Sequence, residues 1–213
     1  MVPIERALVR SVLWLAAGLG ISVLLLFVPA SADPSTIFLI HLSLLVLFGL
    51  GLSIALVDLS GADWFAGSGW TASARLWASG IGLIVLATGV VGLVTLASSA
   101  ALRFDPSTQF LQLISALDIA WVTAAVVIGC HRLWGRLIAG VAGLGIGLFC
   151  VWSIWRYIEA VGFGASGEWI VSGEKLMTLV LPYDMAAAVL AIALFALGAR
   201  RAAQAIEQPS AQS

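Results

Sequence analysis

Charge is what this chain has least of. Only 10% of its 213 residues are Asp, Glu, Lys or Arg, against about 25% in an ordinary soluble domain. Hydrophobic residues make up 62% and the mean hydropathy is +1.10. Nothing here could cover a water-facing surface with polar groups, so a soluble fold is excluded. The net charge of −1 leaves no basic face for nucleic acid and no polybasic run for anionic lipid.

Cysteine and histidine are almost as scarce, with two of each. Cys130 stands at one end of an apolar run and Cys150 well inside the next. Their depths along helices differ by roughly 20 Å, whereas a disulfide needs Cα atoms within about 7 Å. Both read as buried free thiols. His41 and His131 fall on opposite sides of the bilayer, which excludes a bis-histidine haem site within one bundle, and no Cys/His spacing makes a metal site. No phosphate loop, GxSxG, HExxH, DDxxD-like or CxxC pattern is present. No catalytic residue, cofactor or metal is therefore implied, and an enzyme acting on lipid-like substrates finds too few convergent groups.

What the chain does have is apolar length. Blocks of ~20 residues match the ~30 Å of hydrocarbon that a helix crosses at 1.5 Å per residue. The expected fold is all-α, a polytopic membrane bundle of six transmembrane helices at 11–28, 36–57, 76–97, 108–129, 137–157 and 177–197. Residues 1–203 form one transmembrane domain, and 204–213 read as a small, polar, frayed tail. Connectors between the spans are too short for a soluble catalytic domain.

Basic residues collect on the inner side of membranes. With the N-terminus inside, Arg6, Arg10, Arg75, Arg132, Arg136, Arg200 and Arg201 lie inside, and Arg103, Arg156 and Lys175 outside. The bias predicts an N-in, C-in protein of a plasma membrane, of the bacterial inner-membrane kind. A competing start exists. Ala30-Ser31-Ala32 fits a signal-peptidase site, and cleavage there would leave Asp33 first and five spans.

One phrase occurs twice. Asp33-Pro34-Ser35-Thr36-Ile37-Phe38-Leu39 returns as Asp105-Pro106-Ser107-Thr108-Gln109-Phe110-Leu111, and eight of 13 positions agree through Leu45 and Leu117. Asp33 and Asp105 suit N-caps and Pro34 and Pro106 the first helical position, where a missing N–H costs nothing. Caps matter near hydrocarbon, where an unsatisfied N–H is expensive. Arg75-Leu76-Trp77 and Arg132-Leu133-Trp134, with Arg10-Ser11-Val12-Leu13-Trp14 as a looser version, read as openings of helices running the other way. Three tandem hairpins, spans 1–2, 3–4 and 5–6, are the expected arrangement. The stretch between Asp58 and Arg75 has no equal in the repeat and reads as an interfacial loop or half-helix on the inner leaflet, with Asp58 and Asp63 solvated.

Ionisable residues inside a bilayer call for a functional hypothesis. Asp118 lies near the middle of the fourth span. Thr108, Gln112, Ser115 and Asp118 fall within about 120° of helical arc, which makes one polar stripe. It reads either as the lining of a path or pocket or as interhelical hydrogen-bond glue. His41 lies off the equivalent face of its own span and reads as a packed histidine with one hydrogen bond. Arg156 and Asp184 are expected to pair across the last hairpin. Gly140, Gly143, Gly145 and Gly147, with Gly80, Gly82, Gly89 and Gly92, put the third and fifth spans at the bundle centre or at an oligomer interface.

Polar-path or binding candidates are therefore Asp118, Ser115, Gln112, His41, Arg156 and Asp184. The expected function is a small permease or channel-like protein for a small solute or ion. The alternative is a non-catalytic subunit, assembly factor or scaffold of a larger membrane complex. Partners are the lipid bilayer and, through the glycine-rich helices, a second copy or a membrane-complex partner.

Overall fold

A computed structural model describes residues 34–60, 65, 68–161 and 173–207, with positions 9, 12, 13 and 16 near the N-terminus. Apart from those four positions, the first expected span lies outside the described residues, as do Asp33, Asp63 and the side chain of Asp58. All regular structure among the described residues is helical: α1 (Pro34–Ser60), α2 (Ala72–Ala101), α3 (Pro106–Trp134), α4 (Arg136–Val161), α5 (Gly173–Leu179) and α6 (Leu181–Glu207). Five of these are long and apolar enough to cross a membrane. Their outward faces are apolar, with Leu137 80%, Leu93 70% and Val189 66% exposed. Such an exterior suits hydrocarbon and not water.

The helix boundaries have local causes. Asp105 accepts hydrogen bonds from the backbone N–H groups of Ser107 (2.9 Å) and Thr108 (3.1 Å), with Pro106 at the helix start, so it is the N-cap of α3. Thr71 caps α2 in the same way, accepting from Ala74 N–H at 3.2 Å. Arg132-Leu133-Trp134 does not open a helix. It is the last turn of α3, because Gly135 takes a φ of 91° and stops the helix there. Left-handed backbone of that kind is open mainly to glycine. The final span is also redrawn: α5 ends at Leu179, and α6 starts at Leu181, with Pro182 in a first turn that tolerates it. α6 then continues to Glu207, four residues into the stretch read as a tail.

The contacts give the helix directions. Gly143 of α4 faces Val127 of α3 and Leu50 of α1, while Gly147 faces Thr123 and Val46. Numbers rise on α1 and α3 as they fall on α4, so α4 is antiparallel to both. α2 is antiparallel to α3, with Gly92 against Leu117 and Leu76 against Arg132. Gly198 of α6 meets Gly129 of α3, and Asp184 lies in the field of Asp118 near the other end, so these two helices run parallel. α1, α3 and α6 thus point one way and α2 and α4 the other.

The centre is α3, which touches α1, α2, α4 and α6. The bundle centre, one of the two places expected for the third and fifth spans, is thus taken by the fourth span instead. The physical reason lies in Ala116, Ala120, Ala124, Ala125 and Gly129, all buried, whose small side chains let neighbours approach α3 from every side. At Gly129 a Cβ would stand 2.5 Å from the Leu194 backbone, and at Gly198 2.7 Å from the Gly129 carbonyl oxygen. Gly143 and Gly147 do mediate close approach as expected, with a Cβ at either only 2.5 Å from a valine methyl. Gly82, Gly89 and Gly145 face outward, with nothing within 4 Å.

Candidate functional site: a polar stripe on the central helix

The stripe Thr108–Gln112–Ser115–Asp118 runs down α3 from its capped end. Thr108 donates from its hydroxyl to the Asp105 carboxylate, which joins the stripe to the helix cap. That bond, followed by the backbone N–H groups of Thr108 and Ser107, holds the Asp105 carboxyl below its ordinary value of 3.8. One turn on, Gln112 is wholly buried and bonds the His41 ring.

His41 corrects the reading of a histidine with one hydrogen bond. Its Nδ1 meets the Gln112 side-chain amide from α3, and its Nε2 lies 2.5 Å from the Ser98 hydroxyl of α2. The imidazole thereby ties three helices together. Phe104 flanks it, with ring centroids 6.4 Å apart. His41 is indeed off the face of α1 equivalent to the stripe; what brings it to the stripe is that α1 and α3 lie side by side, which a single helix cannot reveal. Ser98, missed in the sequence, belongs to a cluster with Thr95 and Ser99, each buried and bonded back to its own helix carbonyls. Three hydroxyls within five residues of an apolar span were the available signal.

The second group forms where α3, α4 and α6 meet. Asp118 is half-buried and accepts a hydrogen bond from the Trp121 indole at 2.8 Å. Asp184, in the first turn of α6, lies 3.4 Å from the hydroxyl of the buried Ser153 of α4, whose shorter bond goes to the Cys150 carbonyl at 2.8 Å. Burial is the larger influence on Asp118, Asp184 and the Cys150 thiol, and the three lie within electrostatic range of one another. The expected Arg156–Asp184 ion pair is not formed. Arg156 donates to the Tyr183 hydroxyl at 2.8 Å and stacks over the rings of Trp152 (5.1 Å) and Tyr183 (5.5 Å). Those two aromatic faces give the guanidinium a better seat than the carboxylate one residue further along α6. No basic residue among the described ones pairs with either carboxylate.

Ser115 sits between the two groups, half-buried. Of the six candidates, His41 and Gln112 meet in a knot with Ser98, Asp118 and Asp184 fall where α3, α4 and α6 meet, and Ser115 and Arg156 join neither group. Below Asp118 the stripe thins to Thr123, buried and with no partner for its hydroxyl among the described residues. Val122, Val126, Val127 and Ile128 are buried, and the Gly129–Gly198 contact closes the helix pair. Beneath the histidine knot lies a cavity of about 10 Å³ lined by apolar residues and Thr123. A larger groove of about 630 Å³ between α1 and α4, with Trp152 and Trp155 on its wall, contains none of the carboxylates.

Both cysteines are free and buried, as expected. Among the described residues no group of three His, Cys, Asp or Glu side chains is placed to hold a metal. Comparison of the chain with protein families, with curated proteins and with solved structures finds no match. Function is therefore read from these residues alone.

Proposed function

We propose that this chain is a small multi-pass permease or channel-like protein that handles a proton or small cation, in a plasma membrane of the bacterial inner-membrane kind. The observation that carries this reading is the Asp118–Asp184 pair. Two carboxylates on parallel neighbouring helices share one electrostatic field, and no basic residue among the described ones neutralises them. Holding two such groups in a low-dielectric bundle is costly. A proton or cation that arrives and leaves would relieve the cost in turn, which a purely structural pair has no need to do.

On this reading the stripe from Asp105 to Asp118 is the approach from one face, and the sealed stretch around Gly129 and Gly198 is the barrier to the other. The chain takes the N-in, C-in form with six spans in three hairpins, so the approach opens outside. Net transport then requires α6 to shift against α3, exchanging the open side as in alternating access.

The test is proton flux in proteoliposomes with a trapped pH-sensitive dye. Asp118→Asn and Asp184→Asn are each expected to lower the flux at least tenfold while the protein still purifies as a folded species. A flux equal to that of empty liposomes in the native protein removes the reading. A second reading, a subunit of a larger membrane complex, is favoured by Gly82, Gly89 and Gly145, which leave open outward-facing positions where another helix fits. Isolation of the native chain in a fixed ratio with another membrane protein would favour it.

A further inference from the structure

The two nitrogens of His41 are held by neutral side chains from two other helices, and the hydrogen-bond directions can be worked out. The Ser98 hydroxyl donates to the Val94 carbonyl at 2.8 Å, with that of Thr95 at 3.2 Å. A hydroxyl has one proton. With that proton assigned to its own helix, the Ser98 oxygen accepts from His41. Nε2 therefore carries the hydrogen, Nδ1 carries the lone pair, and Gln112 turns its NH₂ toward Nδ1. This leaves Gln112 Oε1, in a side chain that is 0% exposed, as a buried acceptor with no partner among the described residues.

Placing a proton on Nδ1 would set donor against donor. A half-turn of the Gln112 amide about its last bond, within the same volume, brings Oε1 to face Nδ1–H. The orphaned acceptor then gains a charge-assisted hydrogen bond, the stronger kind, and the bond to Ser98 is kept. We propose that Nδ1 of His41 is a proton-binding site inside the bundle and that Gln112 is its switchable ligand, with the amide orientation recording the charge state. One proton enters from water at the Asp105 end of the stripe and returns there, and no other bond to hydrogen breaks.

The ionisable groups on the surrounding elements are few. α1 has none within the described turns next to His41, and α2 has only Arg75 at its far end. The turn before α3 and α3 itself contribute Arg103, Asp105 and Asp118, and α4 contributes Arg156, Tyr157 and Glu159. None of them hydrogen-bonds or pairs with the ring. The charge is thus held by dipoles alone and is released readily, as a station needs and a permanent ion pair does not. This site stands apart from the carboxylate pair and would work equally in a subunit that transports nothing.

Because the chain has only two histidines, His131→Gln leaves a single reporter. Nitrogen NMR of the full chain with ¹⁵N-histidine in lipid nanodiscs should show the Nε2–H tautomer at neutral pH and uptake of one proton on acidification while the helices stay folded. Gln112→Leu should move that midpoint down by about one pH unit or more, and Gln112→Glu should move it up by a similar amount. If Gln112→Leu fails to fold, the Glu variant and the native titration still decide. An Nδ1–H tautomer, no protonation before the bundle melts, or a midpoint indifferent to position 112 would overturn the proposal.

Discussion

At Asp105 a single side chain links helix geometry to pH. Its carboxylate accepts from two backbone N–H groups and from the Thr108 hydroxyl, so its charged form is favoured in the folded state. A carboxyl with a folded value below 3.8 adds stability that is fully present above that pH. The contribution is lost as pH falls through the lower folded value. Asp105→Ala should therefore cost about 1 kcal/mol at pH 7, the usual loss of an N-cap. It should also remove part of the acid sensitivity below about pH 4. Denaturant titration in mixed micelles at pH 7 and pH 3 measures both. Equal loss at the two pH values would show that the carboxylate charge is not what matters. This cap was legible in Asp105-Pro106 because capping chemistry is local. The pairing of His41 with Gln112 was not, because the partners are 71 residues apart and meet only once α1 and α3 are neighbours.

The packing of α3 against α6 shows what local patterns reveal about helices and what they miss. The five apolar runs from α1 to α6 stand out by length alone, and Gly143 and Gly147 betray themselves by their spacing of four. Gly129 and Gly198 are each the lone glycine of their helix, so their role depends on the facing backbone. Arg132-Leu133-Trp134 misled for a related reason. Arg and Trp mark a membrane interface without saying whether a helix begins or ends there, and Gly135 decides it. Gly198→Leu should destabilise the bundle by about 1–3 kcal/mol or more, since the new side chain meets backbone and not a flexible tip. Gly82→Leu, on an open face, should stay within about 0.5 kcal/mol. Unfolding of the two variants followed by circular dichroism compares them directly. Equal stability would mean that α3 and α6 do not approach at Gly198.

Helix direction binds the molecule into a testable orientation. α3 and α6 are parallel, so Ser107, exposed at the start of α3, and Gln204, exposed near the end of α6, lie at opposite faces of the bundle. In the proposed N-in, C-in form Ser107 is outside and Gln204 inside, and a first span crossing the bilayer would place residue 2 on the side of Gln204. Single cysteines at these positions can be probed in intact cells with a membrane-impermeant maleimide, and the buried Cys130 and Cys150 keep the background low. Ser107→Cys should label at once, whereas Val2→Cys and Gln204→Cys should label only after permeabilisation. Loss of the Val2→Cys signal together with a mature chain starting at Asp33 would establish the five-span form. Labelling of Gln204→Cys from outside would invert the bundle, and the stripe leading from Asp105 to Asp118 would then open toward the cell interior.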